Sequence, residues 1–192
     1  MKGCNYKKRG DVVPPQWKVA LLRWLGHEMN FRSLVETGTC FGATCMELHN
    51  DFDKIYTVEL SDELYDVAKE NFDSLCIKNV VQYRGSSRRM LSVMLADVPP
   101  GPVLFYLDAH RSGKGTSDDG DALPDELRAV MQLRPDSLVV IDDCADCELE
   151  PVQKQGVDLT DWHREYRTGM VIMWREGQYD VPPFEDGVWS EQ

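Results

Sequence analysis

Five short segments, each rich in β-branched, aromatic and other apolar residues, recur along the chain at a nearly regular interval. They cover residues 33–37, 55–59, 80–84, 103–107 and 138–142, and their starting points are 22, 25, 23 and 35 residues apart. Each gap has room for one helix, which is the spacing of βαβ units. The first, fourth and fifth segments are almost continuously apolar, as strands buried on both faces of a parallel sheet are. The spacing predicts a Rossmann-like α/β fold, with a doubly wound, mostly parallel sheet and helices on both faces.

The gaps between these segments carry helix signals. Ser61 precedes two acidic residues and is predicted to be an N-cap, while Ser86 or Ser87 is predicted to cap the next helix. Pro124 suits a first helical turn. The N-terminal segment 1–32 is expected to be helical. It contains one apolar stripe that we interpret as core packing, formed by Trp17, Ala20, Leu21, Trp24 and Leu25.

Two regions depart from the regular alternation. The fourth gap is longer than the others and contains a polar stretch without an apolar anchor, so we expect a mobile loop over 111–123. After the fifth segment, residues 166–174 and 178–181 have the composition of extended segments about a turn at 175–177, which predicts antiparallel closing strands. Since no internal repeat or linker is present, we expect one domain over residues 1–192.

The charge balance excludes several classes of partner. The chain has 21 Lys and Arg residues against 33 Asp and Glu residues, a formal net charge of −12. Such a chain repels phosphate, so general nucleic-acid binding and binding to anionic membranes are not expected. No segment reaches the ~20 apolar residues of a membrane span, and no apolar run follows the basic amino end as it would in a secretory signal. We therefore expect a cytoplasmic protein with its six cysteines reduced.

The segment that most resembles a binding loop follows the first strand and reads Glu36-Thr37-Gly38-Thr39-Cys40-Phe41-Gly42. Its glycines let the backbone turn tightly and let a ligand approach the main chain, and the helix that follows offers free N–H groups. A dinucleotide fingerprint requires glycine at positions 36 and 41, where this chain has Glu and Phe. The spacing therefore argues against NAD.

Three more polar turns follow the next three strands. Glu59 ends the second strand, at the position where an acid that binds ribose hydroxyls is expected. Gly-Ser-Ser at 85–87 follows the third strand, and Asp-Ala-His at 108–110 follows the fourth. Because open α/β sheets bind ligands at the carboxyl ends of their strands, we expect all four turns to line one site.

From about residue 33 to residue 143, the chain resembles the class I S-adenosylmethionine-dependent methyltransferases. In that family the loop after the first strand holds the methionine part of the cofactor, the acid after the second strand binds the ribose, and the turn after the third strand faces the adenine. The resemblance implies S-adenosyl-L-methionine as cofactor and the strand order 3-2-1-4-5. It also implies a set of cofactor-binding residues: Glu36, Gly38, Thr39, Cys40, Gly42, Glu59, Leu60, Gly85, Ser86, Ser87 and Asp108.

A narrower resemblance, to the small metal-dependent O-methyltransferases of sugars and other secondary metabolites, comes from residues 107–113 and 141–143. In that branch, acids after the fourth and fifth strands hold a divalent cation, which implies Asp108, Asp142 and Asp143 as ligands of Mg²⁺. Such an ion binds a substrate hydroxyl and lowers its pKa. The same aspartates could instead cap turns, and then no metal is involved.

The resemblance predicts direct methyl transfer to an oxygen of a small-molecule acceptor that carries a hydroxyl group. Asp108 and His110 are the candidate catalytic residues, His110 because an imidazole titrates near neutrality, although it could equally cap a turn. Two alternatives remain: a methyltransferase-like partner subunit that binds the cofactor without activity, and an NAD-binding α/β enzyme. A monomer and a homodimer are the alternatives for the oligomeric state.

Overall fold

Strands and helices alternate through most of the chain, as the spacing predicts. The structure is a computed structural model that describes residues 14–109, 121–144, 149–167 and 169–181. Its helices are α1 (Gln16–Glu28), α2 (Ala43–Leu48), α3 (Asp62–Ser74), α4 (Ser87–Asp97), α5 (Leu123–Leu133) and α6 (Leu149–Lys154). Its strands are β1 (Ser33–Thr37), β2 (Lys54–Glu59), β3 (Val80–Arg84), β4 (Leu104–Leu107), β5 (Leu138–Ile141), β6 (Trp162–Arg167) and β7 (Met170–Arg175). The five predicted strands are all present, and their ends lie within about one residue of the predicted ends.

The strands form one sheet in the order β3-β2-β1-β4-β5-β7-β6. Strand β1 pairs in parallel with both β2 and β4, and β3 and β5 extend the parallel part on either side. Strand β7 then pairs antiparallel with β5, and β6 pairs antiparallel with β7. This confirms the predicted fold class, the order 3-2-1-4-5 and the antiparallel closing strands. The direction of strand addition reverses between β1 and β4, and open α/β sheets bind ligands at such a switch point.

The closing hairpin lies at a different place from the predicted one. Strands β6 and β7 meet around Gly169, whereas the sequence predicts one strand over 166–174 and a turn at 175–177. Gly169 has a φ of +73°, a conformation that glycine adopts readily in a tight turn. Strand β6 contains the polar run His-Arg-Glu at 163–165 because it is an edge strand, which needs no apolar residues on both faces. Because of these polar residues, β6 was not predicted as a separate strand.

Apolar side chains fill both faces of the sheet. Successive residues of a strand point to opposite faces, so Leu34 of β1 joins the core against α1, α2 and α3, and Val35 joins the core against α4, α5 and α6. Both residues are fully buried. Burial on both faces explains why the central strands read as continuous apolar runs. Among the helices that the structure describes, none is long and apolar enough to cross a membrane.

Helix α1 buries a face that is rotated from the predicted stripe. Its buried apolar residues are Val19, Leu21, Leu22 and Leu25. Trp17 and Trp24 pack at the margin of the same core and stay partly buried. Core packing is thus confirmed for Leu21 and Leu25. The rotation matters because Lys18, which precedes the buried Val19, reaches the sheet edge where β5 ends.

The helix starts agree with the sequence, and one predicted loop does not. Ser61 caps α3, its Oγ accepting a hydrogen bond from the N–H of Leu64 at 3.3 Å. Ser86 occupies the N-cap position of α4, without a side-chain cap bond. The predicted loop 111–123 ends earlier than expected, because the apolar side chain of Leu123 belongs to the core and Leu123 begins α5. Residues 110–120 lie outside the described residues, so the mobility of that segment stays a prediction.

Candidate functional site

The loop between β1 and α2 has an alternating backbone conformation. Gly38, Cys40 and Gly42 have positive φ values of +86°, +51° and +79°. A left-handed conformation costs a residue with a Cβ roughly 1–2 kcal/mol, so Cys40 is held in it by its surroundings. The N–H groups of Gly38 and Thr39 both donate to the carbonyl oxygen of Val58, at 3.0 and 3.1 Å. These two bonds therefore fix the loop against β2.

Close contacts explain two of the glycines in this loop. A Cβ on Gly38 would lie 2.8 Å from the main-chain oxygen of Asp108, just beyond the end of β4. A Cβ on Gly42 would lie 2.6 Å from the ring of Phe72 on α3. Because both positions also have positive φ, a larger residue would be strained at either one. The loop thus packs tightly between β4 and α3.

Glu36 lies behind the loop and does not line the cleft described below. The residue is 1% exposed, and its carboxylate accepts hydrogen bonds from Thr57 Oγ1 at 2.6 Å and Cys45 Sγ at 3.0 Å. Thr39 Oγ1 lies 2.6 Å from Thr57 Oγ1 and extends this network to the loop. Burial raises the pKa of Glu36 to about 7, because desolvation outweighs the hydrogen bonds that favour the charge. Glu36 therefore supports the loop from behind, and its predicted contact with a cofactor stays a prediction.

Glu59 joins the loop to the end of β2. One carboxylate oxygen accepts the backbone N–H of Cys40 at 2.7 Å, and the other accepts that of Ser61 at 2.8 Å. A carboxylate oxygen can accept two hydrogen bonds, so within the described residues each oxygen keeps one position for a ligand hydroxyl. Leu60, beside it, is partly buried. The acid predicted to bind ribose thus also shapes the loop.

The turn after β3 lies on the same sheet edge. The N–H of Gly85 donates to the carbonyl oxygen of Glu59 at 2.8 Å, and its φ is +134°. Ser86 is partly buried, and Ser87 is buried at the first position of α4. The three residues therefore stand next to Glu59, where the sequence places the adenine side of the site.

Glu126 on α5 is a buried acid that the sequence does not single out. It is fully buried, and no donor among the described residues is in hydrogen-bonding geometry with either carboxylate oxygen. Burial raises its pKa to about 7, while the nearby hydroxyls of Ser87 and Thr37 oppose that rise. The protonated form of Glu126 is therefore favoured below about pH 7.

A cleft of about 170 Å³ opens between the β1–α2 loop, helix α1 and the ends of β4 and β5. Six of the predicted site residues line it: Gly38, Thr39, Cys40, Asp108, Asp142 and Asp143. Phe41, from the predicted binding loop, lines it as well. Its other lining residues were not predicted to belong to a site: Pro14, Pro15, Lys18, Ala43, Thr44 and Tyr106. The predicted residues at the ends of β2 and β3 lie beside it along the same sheet edge. The fold thus brings the four polar turns to one edge, as the sequence predicts.

Asp108 fixes the end of β4 and carries a perturbed carboxyl group. Its N–H donates to the carbonyl oxygen of Thr37 at 3.1 Å, which ties β4 to β1. Burial raises the pKa of Asp108 to about 8, and neighbouring carboxylates add to the rise: Asp142, Glu36 and Asp143. A carboxyl group that titrates near neutrality can exchange a proton with a ligand under physiological conditions.

The carboxylate of Asp142 is enclosed by donors. Lys18 Nζ lies 2.6 Å from each of its oxygens, and the hydroxyl of Tyr106 donates to Oδ2. The N–H of Asp143 donates to Oδ1 at 2.8 Å. Asp143 itself has a φ of +48°, and its side chain is 70% exposed. Asp142 is therefore paired with an ammonium group supplied by α1.

The predicted metal ligands share the cleft without forming a metal site. Among the residues that the structure describes, no group of three or more His, Cys, Asp or Glu side chains is arranged to hold a metal ion. Lys18 contacts Asp142 and lies 3.6 Å from Asp143. The expectation of Mg²⁺ on Asp108, Asp142 and Asp143 does not fit this arrangement, because an ammonium group already neutralises Asp142. His110 lies outside the described residues, so its catalytic role stays a prediction.

The sequence analysis did not single out Tyr106 and Lys18, which both contact Asp142 in the cleft. Tyr106 lies inside an apolar strand segment, and its period-two relation to Asp108 puts both on one side of β4. That relation was a usable signal. Lys18 is one of two basic residues besides histidine in α1, and it interrupts an otherwise apolar stretch. Nothing local links it to a carboxylate 124 positions away.

Comparisons with known proteins show the fold. No protein-family model matches the chain, and no curated protein sequence does. Solved methyltransferase structures match it over most of its length. The O-methyltransferase TomG from Streptomyces achromogenes, in complex with S-adenosylmethionine, has a TM-score of 0.65 at 18% identity, over 87% of this chain and 83% of that chain.

Two further structures agree. The O-methyltransferase from Bacillus cereus, in complex with S-adenosylhomocysteine, has a TM-score of 0.63 at 16% identity, over 88% of this chain and 84% of that chain. The S-adenosylhomocysteine-bound methyltransferase PaMTH1 from Podospora anserina has a TM-score of 0.62 at 12% identity, over 83% and 78%. With the strand order, these likenesses show that the chain has the class I methyltransferase fold.

Proposed function

We propose that this chain, which has the class I methyltransferase fold, is an S-adenosylmethionine-dependent methyltransferase acting on an oxygen of a small hydroxylated acceptor. The observation that carries the proposal is the preformed loop after β1. Its N–H groups are bonded to β2, Gly38 sits against β4, and it borders a cleft at the switch point of the sheet. TomG and the Bacillus cereus protein, with the same fold, are O-methyltransferases in complex with S-adenosylmethionine and S-adenosylhomocysteine.

The residues along this edge suit the cofactor. Glu59 has one acceptor position left on each oxygen, which matches the two hydroxyls of a ribose. Thr39 and Cys40 border the cleft where the methionine part would lie, and Ser86 borders the adenine side. S-adenosylmethionine, when bound, supplies a methyl group on a positively charged sulfur. The surplus of carboxylates over ammonium groups in the cleft favours a positive ligand.

On the acceptor side, Asp108 is the group we expect to handle the proton. It lines the cleft, and its pKa of about 8 suits a carboxyl group that accepts a proton from an acceptor hydroxyl at its side-chain oxygen. The rigid loop and the ends of β4 and β5 hold the reactants in line, and alignment alone accounts for a large part of the rate of a displacement. His110 remains the second candidate base.

Two alternatives make different predictions. An NAD-binding enzyme would place a diphosphate at this edge. Among the described residues that line the cleft, the carboxyl groups outnumber the single ammonium group of Lys18, and the surplus negative charge would repel the diphosphate. The fingerprint positions 36 and 41 are Glu and Phe as well, which argues in the same direction. An inactive partner subunit would bind S-adenosylmethionine and transfer no methyl group to any acceptor.

Calorimetric titration of the full chain tests the cofactor. S-adenosylhomocysteine is expected to bind and to raise the melting temperature, because a ligand that binds the native state stabilises it. NAD is expected to do neither. The outcome that overturns the proposal is binding of NAD without binding of S-adenosylhomocysteine.

A second experiment separates enzyme from partner subunit. Transfer of radiolabelled methyl groups is measured against a panel of alcohols, phenols and hydroxy acids, with amines as the comparison class. We expect turnover on a hydroxyl compound. Turnover on amines alone would overturn the acceptor class. Binding of the cofactor without transfer to any compound would favour the inactive subunit.

A further inference from the structure

The chain itself supplies a cation at the acceptor side of the cleft. Lys18 Nζ lies 2.6 Å from both oxygens of Asp142 and 3.6 Å from Asp143 Oδ1. The side chain of Lys18 is 15% exposed and that of Asp142 is 3% exposed, so the pair is largely withdrawn from water. Lys18 is expected to contribute to stability, because removing one partner of a buried ion pair leaves an uncompensated carboxylate.

The carboxylate of Asp142 has no acceptor position left for a metal ion. An ionised carboxylate offers about four lone-pair positions, two on each oxygen. Oδ1 accepts from Lys18 Nζ and from the N–H of Asp143, while Oδ2 accepts from Lys18 Nζ and from the hydroxyl of Tyr106. A divalent ion at this carboxylate would have to displace the ammonium group. If it bound beside that group, the two positive charges would repel each other.

We propose that Lys18 takes the place of a divalent cation in this cleft: it neutralises Asp142 and donates a hydrogen bond to an oxygen of the methyl acceptor. An ammonium group has three N–H donors. Among the described residues, Nζ donates hydrogen bonds to the two oxygens of Asp142, so a third donor is available on a side chain that lines the cleft. The role toward the acceptor rests on the function proposed above, whereas the exclusion of a metal ion does not.

The proposal narrows the acceptor class. One open N–H donor holds one oxygen, so the acceptor presents a single alcohol, phenol or carboxylate oxygen to Lys18. Two adjacent hydroxyls, of the kind that chelate a metal ion, are not required. Lys18 is therefore a positioning residue that selects and orients the acceptor, and the transfer is expected to proceed in excess chelator.

Binding of Mn²⁺ alone tests the cation, with the free-ion signal in electron paramagnetic resonance as readout. The wild-type chain is expected to leave that signal unchanged at millimolar Mn²⁺, with or without S-adenosylhomocysteine. Lys18→Ala removes the ammonium group from Asp142 and is expected to reduce the free-ion signal, with a dissociation constant at least about tenfold below the highest Mn²⁺ concentration at which the wild type shows no binding. Lys69→Ala, which removes an exposed lysine paired with Asp73 on α3, is the matched control and is expected to behave as the wild type.

Either of two results overturns the proposal. One is Mn²⁺ binding by the wild-type chain as tight as that of Lys18→Ala, and the other is a folded Lys18→Ala that binds no more Mn²⁺ than the wild type. If Lys18→Ala does not fold, the wild type and Lys18→Arg are compared. Binding of Mn²⁺ by either of these two chains overturns the proposal. Absence of Mn²⁺ binding in both chains supports the proposal. Binding of S-adenosylhomocysteine is measured in parallel. Its failure would overturn the proposed function and leave the Mn²⁺ result standing.

Discussion

The carboxylate of Glu59 accepts the backbone N–H of Cys40 at 2.7 Å, and this bond holds a cysteine in the left-handed conformation of the β1–α2 loop. The same carboxylate is our candidate for binding the ribose of the cofactor. Loop shape and cofactor affinity therefore depend on one side chain. A substitution at position 59 is expected to affect both.

Glu59→Gln keeps the size of the side chain and replaces one acceptor oxygen with an N–H₂ group that cannot accept. We expect the affinity for S-adenosylhomocysteine to fall by about tenfold to a hundredfold, the range for losing a charged hydrogen bond. Isothermal titration calorimetry measures it. Glu47→Gln, at an exposed position of α2, is the control and is expected to bind normally. Unchanged affinity in Glu59→Gln would remove Glu59 from the cofactor site.

Gly42→Ala introduces a Cβ into the ring of Phe72 at a backbone φ of +79°. We expect the free energy of unfolding to fall by about 2–4 kcal/mol, from strain plus overpacking. Gly156→Ala is the matched control, because Gly156 has a φ of +82° and, in the part of the chain that the structure describes, only its own chain neighbours come within 4 Å of the added Cβ. The free energy of unfolding of Gly156→Ala is expected to fall by only about 1–2 kcal/mol, because of backbone strain alone.

A double-mutant cycle with Phe72→Leu separates the two contributions in Gly42→Ala. If the ring causes the clash, the two substitutions together cost less than the sum of the single costs. Urea denaturation measures the wild type, the two single variants and the double variant. Strict additivity would mean that the backbone conformation, and not Phe72, sets the requirement for glycine.

Glu126 is expected to make the folded chain less stable as the pH rises. Burial raises its pKa from 4.5 to about 7, so between these values the folded state binds more protons than the unfolded state. Its contribution is fully present below pH 4.5, declines as the pH rises toward 7, and stays lost above. Glu126→Gln is always neutral, so its stability relative to the wild type should increase by about 2–3 kcal/mol between pH 4 and pH 8.

Urea denaturation at several pH values measures the effect of Glu126→Gln. Glu150→Gln, whose side chain is 65% exposed on α6, is expected to show no comparable change with pH. A difference between Glu126→Gln and the wild type that stays constant with pH would mean that Glu126 is charged in the folded chain.

Lys18→Met keeps the length of the side chain and removes its charge, which leaves Asp142 buried without a cation. We expect a loss of about 2–3 kcal/mol of stability, less than for a fully buried pair because Lys18 borders an open cleft. Lys18→Arg should recover part of it. Thermal and urea unfolding measure the loss, with Lys69→Met on the exposed face of α3 as control. Equal stability of Lys18→Met and the wild type would show that Asp142 does not need this partner.

The central strands β1, β4 and β5 could be predicted because they are buried on both faces, so each one reads as an apolar run at βαβ spacing. The two edge strands differ in composition: β3 keeps the β-rich run Val-Val-Gln-Tyr and was predicted, whereas the polar run His-Arg-Glu of β6 resembles a loop. The predicted position of the closing hairpin was wrong for the same reason. The number of apolar residues in a strand, which follows from its burial, decided whether the strand could be predicted from the sequence.

The residues of the candidate site that directly follow a strand could be predicted from the sequence. Asp108, Asp142 and Asp143 follow neighbouring strands, and the structure puts them in one cleft as expected. Their counter-charge was not predictable, because Lys18 comes from a helix whose buried face is rotated from the apolar stripe in the sequence. Three converging acids suggest a metal ion until that lysine is placed among them.

The separation of 124 positions between Lys18 and Asp142 also sets an order of assembly during synthesis. At the usual speed of translation, Lys18 emerges roughly 6–25 s before its carboxylate partner is made. A nascent chain that has reached β4 already contains the loop, Glu59 and the central strands, while the acceptor side still lacks β5. Lys18 and Asp142 therefore join the first helix to the last parallel strand, and the cleft is completed only when nearly three quarters of the chain exists.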